Sequence, residues 1–259
     1  MEGMTIDLNS DLGESFGRWQ LGDDGALLRL VSSANVACGF HAGDPQGIRR
    51  TVRAAREAGA AVGAHPGYFD LRGFGRVPMQ LPDAIVRDDV LYQLGALAAL
   101  AHAEGVRLAH VKPHGALYNA MATHEELALA VAEAVGAFDR RLPIMVLAGS
   151  AAERALLAAG THVLREGFLD RAYLPDGTLA PRGTPGAVLD DPDRVVEQAL
   201  RLATEHRVLA VDGTELTLEV DTLCLHGDNA AALELARRVR DALEGAGVRI
   251  ASAGLLHDT

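Results

Sequence analysis

Residues 31–59 read VSSANVACGFHAGDPQGIRRTVRAAREAG, and this stretch decides the fold. An apolar run, Val31–Ala37, leads into a short segment rich in glycine and polar residues. Asp44-Pro45 then reads as a helix start. The carboxylate caps backbone N–H groups that have no partner, and proline fits the first helical position, where its missing N–H costs nothing. Glu57-Ala58-Gly59 reads as the matching helix end. One strand, one polar turn and one helix make a βα unit.

Working outward, the same pattern recurs. Further apolar runs fall at Thr5–Leu8, Ala60–Ala64, Leu108–Val111, Ile144–Leu147, His162–Leu164 and Thr222–Leu225. Pro82-Asp83 opens a long helix that stops at Gly105. Ser150 caps Ala151–Ala159, which Gly160 ends. Asp191-Pro192 starts a helix ending near His206. Asp228 caps a last helix with Ala232, Leu235, Ala236, Val239 and Leu243 on one face. Such alternation predicts an α/β fold, a parallel sheet with helical crossovers. A closed or nearly closed seven-stranded (β/α) barrel fits better than an open sheet. No GxGxxG follows a strand, and polar motifs follow nearly every strand rather than one switch point. With no linker and no shift in composition, residues 1–259 are expected to form one domain.

Three stretches depart from the plain unit. Pro66–Met79 is rich in Gly, Arg and aromatic residues. Asp170–Asp190 is punctuated by Pro and Gly and is too long for a simple connection. Val208–Val220, with Asp212-Gly213 in its middle, reads as a β-hairpin excursion.

Composition narrows the function. The chain has 259 residues, 49% hydrophobic and 23% charged, with a net charge of −11. That is ordinary for a globular protein, and too acidic for a nucleic-acid binder or a partner of anionic membranes. No apolar run approaches the roughly 20 residues of a bilayer span, and the first residues lack a secretory pattern. Cys38 and Cys224 make no zinc spacing and no disulfide framework, so a cytoplasmic protein is expected. Of the 24 basic residues only Lys112 is lysine; the others are arginine. Against such a bias, a retained lysine suggests a need for a compact ammonium able to lose a proton. Chance survival on the surface is the plainer reading.

Polar residues gather at predicted strand ends. Asn9, Asp11 and Glu14 follow the first strand; Asn35, His41 and Asp44 the second; His65 the third; Lys112, His114 and Asn119 the fourth. Glu166, Asp170 and Arg171 follow the sixth, and His226, Asp228 and Asn229 the seventh. In a βα barrel these ends open onto one face, so the residues are expected to converge. Asp and His suit general acid–base work, and Lys112 suits a developing oxyanion or phosphate. Arg76 and Arg171, in the two unusual loops, suit a substrate carboxylate. Asp11, His41 and His65 could hold a divalent metal, or form a hydrogen-bonded network without one. No serine elbow and no P-loop are present. Other positions have plainer readings. Asp44 and Asp228 are helix caps, His110 a packed core histidine, and Cys38 and Cys224 small buried hydrophobes. His102, His124, His206 and His257 face solvent, while Trp19 and Phe40 pack.

Taken in order, NSDLGE, NVACGFHAGD, AHPGYFDLRGFGR, HVKPHGALYN, EGFLDRAY and CLHGDN closely resemble the LamB/YcsF family, from Ile6 to about Ile250. The resemblance implies a seven-stranded barrel similar to glycoside hydrolases and polysaccharide deacetylases. It also implies ATP-dependent opening of 5-oxoproline to L-glutamate, in complex with two further subunits, B and C, with ATP and Mg²⁺ as co-substrate. A five-membered lactam is a stable amide, and phosphorylating its oxygen would activate it. The site then needs a cation for the substrate carboxylate, a donor for the lactam oxygen and a base for water. Arg76 or Arg171, Lys112 with His114, and Asp11 with His41 or His65 are the respective candidates. Asn9, Glu14, Asn35, Asn119, Asp170, His226 and Asp228 are expected to contact substrate. Two other readings stay open: a stand-alone metal-dependent deacetylase or amidohydrolase, and a subunit that binds the lactam while a partner performs the chemistry.

Overall fold

The computed structural model describes residues 4–226 and 232–254; the roles expected of Asp228, Asn229 and His257 lie outside them. The strands β1 (Thr5–Leu12), β2 (Ser33–Ala37), β3 (Ala61–His65), β4 (His110–Val111), β5 (Ile144–Leu147) and β6 (Val163–Phe168) pair in parallel and in chain order. After an antiparallel hairpin, β7 (Arg207–Leu209) and β8 (Glu215–Thr217), the chain returns as β9 (Thr222–Cys224). That strand lies between β6 and β1 and closes a seven-stranded barrel, with Asp7 opposite Thr222 and Asn9 opposite Cys224. A last short strand, β10 (Arg249–Ile250), pairs with the start of β1.

Two strands outrun the sequence reading. β1 continues to Leu12 rather than Leu8, and β6 to Phe168 rather than Leu164. The added residues include Asn9, Asp11 and Glu166, which interrupt the apolar run but not the backbone pairing. The reason is the two-residue period of a strand, with alternate side chains inside and outside the barrel.

Outward-facing Leu8, Leu12, Val36, Val62, Val111 and Leu223 belong to one buried core with the helices. Those helices are α1 (Asp24–Leu27), α2 (Pro45–Ala58), α3 (Asp83–Ala103), α4 (Gly115–Met121), α5 (Glu125–Phe138), α6 (Ala151–Ala158), α7 (Pro192–Leu200) and α8 (Ala232–Gly245). Each fully buried aliphatic side chain contributes roughly 1.5–3 kcal/mol. The caps lie where the sequence puts them. Asp44 accepts from the N–H groups of Gln46 and Gly47, Ser150 from Glu153 and Asp191 from Asp193. α7 runs on as one π-helical turn, Arg201–Glu205, which His206 ends at φ 56°.

The lumen is polar. Asp7, Asn9 and Asp11 of β1 project inward at a stride of two and meet side chains from other strands. Ser33 and Thr222 donate to Asp7 at 2.8 and 2.7 Å. One level up, Asn9 donates to Glu166 at 3.0 Å and accepts from Asn35 at 2.7 Å. His110 reaches Asn35 Oδ1 at 2.7 Å, as a hydrogen-bonded core histidine does. Its ring lies across Gly63, where a Cβ would approach Nε2 to 2.0 Å. Met145, Leu164 and Ala253 form a separate small apolar cluster.

Trp19 does not pack: it is 73% exposed, with its backbone bridged to that of Phe16. Phe40 does pack, with ring centroids 5.0 Å from Phe69 and 5.5 Å from Tyr92. His102, His124 and His206 are exposed, and Cys38 and Cys224 are buried. Among the described residues no helix is long and apolar enough to cross a membrane.

Candidate active site

At the C-terminal ends of the strands the lumen opens into a cavity of about 290 Å³. Its floor is Lys112, the residue after β4. The ammonium lies 3.0 Å from Asp11 Oδ1, 2.8 Å from Glu166 Oε1 and 3.2 Å from Asn9 Oδ1, with Cys224 Sγ at 3.1 Å. The Phe168 ring centroid is 5.5 Å away. Burial opposes the charge on this lysine, but Asp11 and Glu166 hold it well above its ordinary value. Burial likewise opposes the charge of Asp11, yet His65 and Lys112 keep its carboxyl well below the usual range. Cys224 stays a thiol, since burial pushes it well above the ordinary cysteine value. The sequence suggested a lysine that could lose its proton. The structure corrects this: Lys112 is a fixed cation between two carboxylates, and what the site uses is its compactness.

Two histidine groups rise from this floor. In the first, His65 Nε2 lies 3.3 Å from Asp11 Oδ2 and 2.9 Å from His114 Nδ1. His41 stacks on His114 with centroids 3.8 Å apart, and Glu14 Oε1 faces both, at 3.5 Å from His41 and 3.6 Å from His114. Desolvation, with the neighbouring histidines, holds His41 and His114 well below the ordinary imidazole value. In the second group, His226 Nδ1 lies 2.8 Å from Asp170 Oδ2. Burial opposes the charge on Asp170, but His226 keeps its carboxyl below the usual value. An acceptor behind Nδ1 fixes the tautomer and leaves Nε2 to act as a base, an arrangement suited to proton transfer.

The loops form the walls. Arg76, Asn119, Arg171 and Arg182 line the cavity with Asp11, His65, Lys112, His114 and His226. Eight of the expected residues thus share one hollow: Asp11, His65, Arg76, Lys112, His114, Asn119, Arg171 and His226. Others stand one layer back. Asn9 and Asn35 lie beneath the ammonium with their amides engaged by protein. Glu14 and His41 lie behind His114, and Asp170 behind His226. Arg171 is buried, and two of its nitrogens reach the carbonyl oxygens of Ala187 and Ala180 at 3.3 and 2.6 Å, so it ties together the loop 170–190.

Of the possible metal ligands, Glu14, His41, His65 and His114 place donor atoms within 4.8 Å of one another, and Asp11, Cys224 and His226 form a second such group. The expected trio of Asp11, His41 and His65 is therefore divided between the two, though Asp11 and His65 are neighbours.

The sequence places Glu166 among the converging strand ends without a specific role and reads Cys224 only as a buried hydrophobe; Tyr118, Phe168 and Arg182 do not stand out in it. Glu166 carried a signal, a carboxylate at the end of a predicted strand. Tyr118, one turn into α4, is buried, and burial pushes its hydroxyl well above the ordinary value. Arg182 carried only its place in a loop of unusual length.

A closed parallel barrel with acids, imidazoles and one buried lysine at the C-terminal mouth defines the class, and the chain belongs to the LamB/YcsF family, whose profile matches residues 6–257. Within that family it is similar to proteins named as the A subunit of 5-oxoprolinase. The one from Symbiobacterium thermophilum is 55% identical over 249 residues, covering 96% of this chain and 95% of the relative. The one from Pyrococcus furiosus is 51% identical over 251 residues, covering 97% and 98%. Among solved structures, a lactam utilization protein from Thermus thermophilus superposes with a TM-score of 0.90 at 51% identity, over 96% of this chain and 99% of that one. A family 4 carbohydrate esterase from Streptomyces lividans shares the fold alone, at a TM-score of 0.52 and 15% identity, over 95% of this chain and 91% of that one.

Proposed function

We propose that this chain is the lactam-binding, ring-opening subunit of an ATP-dependent 5-oxoprolinase, acting in the cytoplasm as a single barrel domain with subunits B and C. The observation that carries the reading is the Lys112 ammonium, clamped by Asp11 and Glu166 at the floor of a small polar cavity. Its bearer is more than half identical to 5-oxoprolinase A subunits over almost its whole length.

The chemistry follows from the stability of the ring. The lactam oxygen attacks the γ-phosphorus of ATP·Mg²⁺, so an O–P bond forms and ADP leaves. Water adds to the activated ring carbon as a base takes its proton. The ring C–N bond breaks, the nitrogen leaves as the amine, and a γ-glutamyl phosphate remains. A second water releases phosphate and L-glutamate. In this chain the His226–Asp170 pair is the base, positioned by the short contact behind the ring. Lys112 sets a positive potential where the lactam oxygen gains charge. Arg76 and Arg182, at the mouth, receive the substrate carboxylate. With no P-loop among the described residues, ATP would reach the lactam either in a non-standard pocket of this chain or from a partner subunit.

The test is turnover by the assembled enzyme. Subunits B and C with this chain are expected to form glutamate and ADP from 5-oxoproline and ATP. Equal turnover by B and C alone would end the reading.

A further inference from the structure

The group behind His114 has a feature the lactam chemistry does not require. His65 Nδ1 lies 2.6 Å from the carbonyl oxygen of Lys112, and His114 Nε2 lies 2.8 Å from that of Phe74. A carbonyl can only accept, so both outer nitrogens carry hydrogen. In neutral imidazoles the inner nitrogens, His65 Nε2 and His114 Nδ1, then present lone pairs to each other at 2.9 Å. Two lone pairs cannot face each other at that distance without something positive between them. A backbone carbonyl on the far nitrogen is also how proteins orient imidazoles toward a metal.

Two more donors lie beside this pair. Glu14 Oε1 is buried with no hydrogen-bond partner, and neither nitrogen of the buried His41 has one. The four donor atoms lie within 4.8 Å of one another. A tetrahedral ion with bonds near 2.0–2.1 Å spaces its ligands at roughly 3.3 Å. Glu14, His65 and His114 need only small shifts to meet it, whereas His41, now stacked parallel on His114 at 3.8 Å, would turn out of that stack to aim a nitrogen at the ion. The backbone makes room for the stacked rings. A Cβ at Gly67 would come to 2.8 Å from His41 Nδ1, and one at Gly75 to 2.7 Å from His41 Cβ. Asp11 Oδ1 already accepts from Lys112 and Asn35, and its other oxygen stands 3.3 Å from His65 Nε2 but outside the group of four donors.

The geometry points to a divalent metal site formed by Glu14, His41, His65 and His114, with Asp11 outside the ligand set. Three imidazoles and one carboxylate suit zinc, cobalt or manganese better than magnesium or calcium, which prefer oxygen. This site is distinct from any Mg²⁺ that accompanies ATP and does not depend on the lactam assignment. The ion would fix His65 and His114 on the cavity wall.

The experiment reads metal, not turnover. The full chain is stripped with a chelator, then titrated with Co²⁺ while its visible d–d absorption is followed. About one Co²⁺ per chain is expected, with the strong bands of a four-coordinate ion, displaced by equimolar Zn²⁺. Glu14→Gln and His41→Ala should each weaken Co²⁺ binding about a hundredfold or more, while Asp11→Asn binds within a few-fold of the parent. Circular dichroism establishes that each variant is folded; should His41→Ala not fold, Glu14→Gln against Asp11→Asn decides. Binding below a tenth of an ion per chain would overturn the site and leave a shared proton between His65 and His114. So would loss of binding in Asp11→Asn with retention in Glu14→Gln.

Discussion

Lys112 Nζ and Glu166 Oε1 meet at 2.8 Å in the barrel lumen, although one follows β4 and the other lies within β6. With Asp11 on the other side, the ammonium is compensated on two flanks and almost wholly buried. Lys112→Met would strand two buried carboxylates, and breaking a buried pair from one side costs about 3–5 kcal/mol. Lys112→Met with Glu166→Gln should recover part of that loss, measurable by urea denaturation. Lys112→Arg should assemble with B and C yet turn over at least about a hundredfold more slowly, because a planar fork cannot replace a compact ammonium here.

The contact between His226 and Asp170 predicts a kinetic signature. Asp170→Asn keeps the shape but withdraws the carboxylate that fixes the ring tautomer. In the assembled enzyme kcat should fall by about 10²–10⁴ with KM for the lactam changed only a few-fold. A large rise in KM at unchanged kcat would make the pair a binding element instead of a base.

Arg76 and Arg182 should behave in the opposite way. A contact to the substrate carboxylate is the same in ground and transition states, so Arg76→Ala and Arg182→Ala should each raise KM about tenfold or more with kcat nearly preserved. An amide analogue of the substrate, lacking the carboxylate, should not distinguish these variants from the parent.

Asp7 predicts a pH dependence of stability. Burial pushes its carboxyl up to about 6, against hydrogen bonds from Ser32, Thr222 and Ser33 that pull it down. Between the unfolded value near 3.8 and about 6, the native state holds a proton that the unfolded state has released. Stability from this group therefore falls as pH rises through that window and is constant above it, a difference on the order of 3 kcal/mol. Asp7→Asn should abolish this component: the gap in melting temperature between variant and parent changes from pH 4 to 6 and stays level from 7 to 8.

Much of this architecture is written locally. Asp44, Ser150 and Asp191 cap helices through their own next few residues, so a short window suffices to place them. The strand-end residues Asp11, His65, Lys112 and His226 were legible as a set because a barrel gathers its strand ends. What could not be read was created by closure. The polar lumen interrupts β1 and β6 in sequence, so both looked short. Glu166 acquires meaning only beside Lys112, and Glu14 only beside His41 and His114. Lys112 looked like a proton donor until its two acidic neighbours were in place. Trp19 looked like core on residue type alone, and no local signal says that nothing covers it.

β1 carries a consequence for how the chain is made. One edge pairs with β2, its neighbour in sequence, while the other is completed by β9 and β10, which follow far later in the chain. While a ribosome is still translating, that edge and the matching edge of β6 stay unsealed, with their N–H and C=O groups open to other strands. The barrel thus closes only once β9 has been made, and the interval before sealing is when its open edges are most exposed to mispairing.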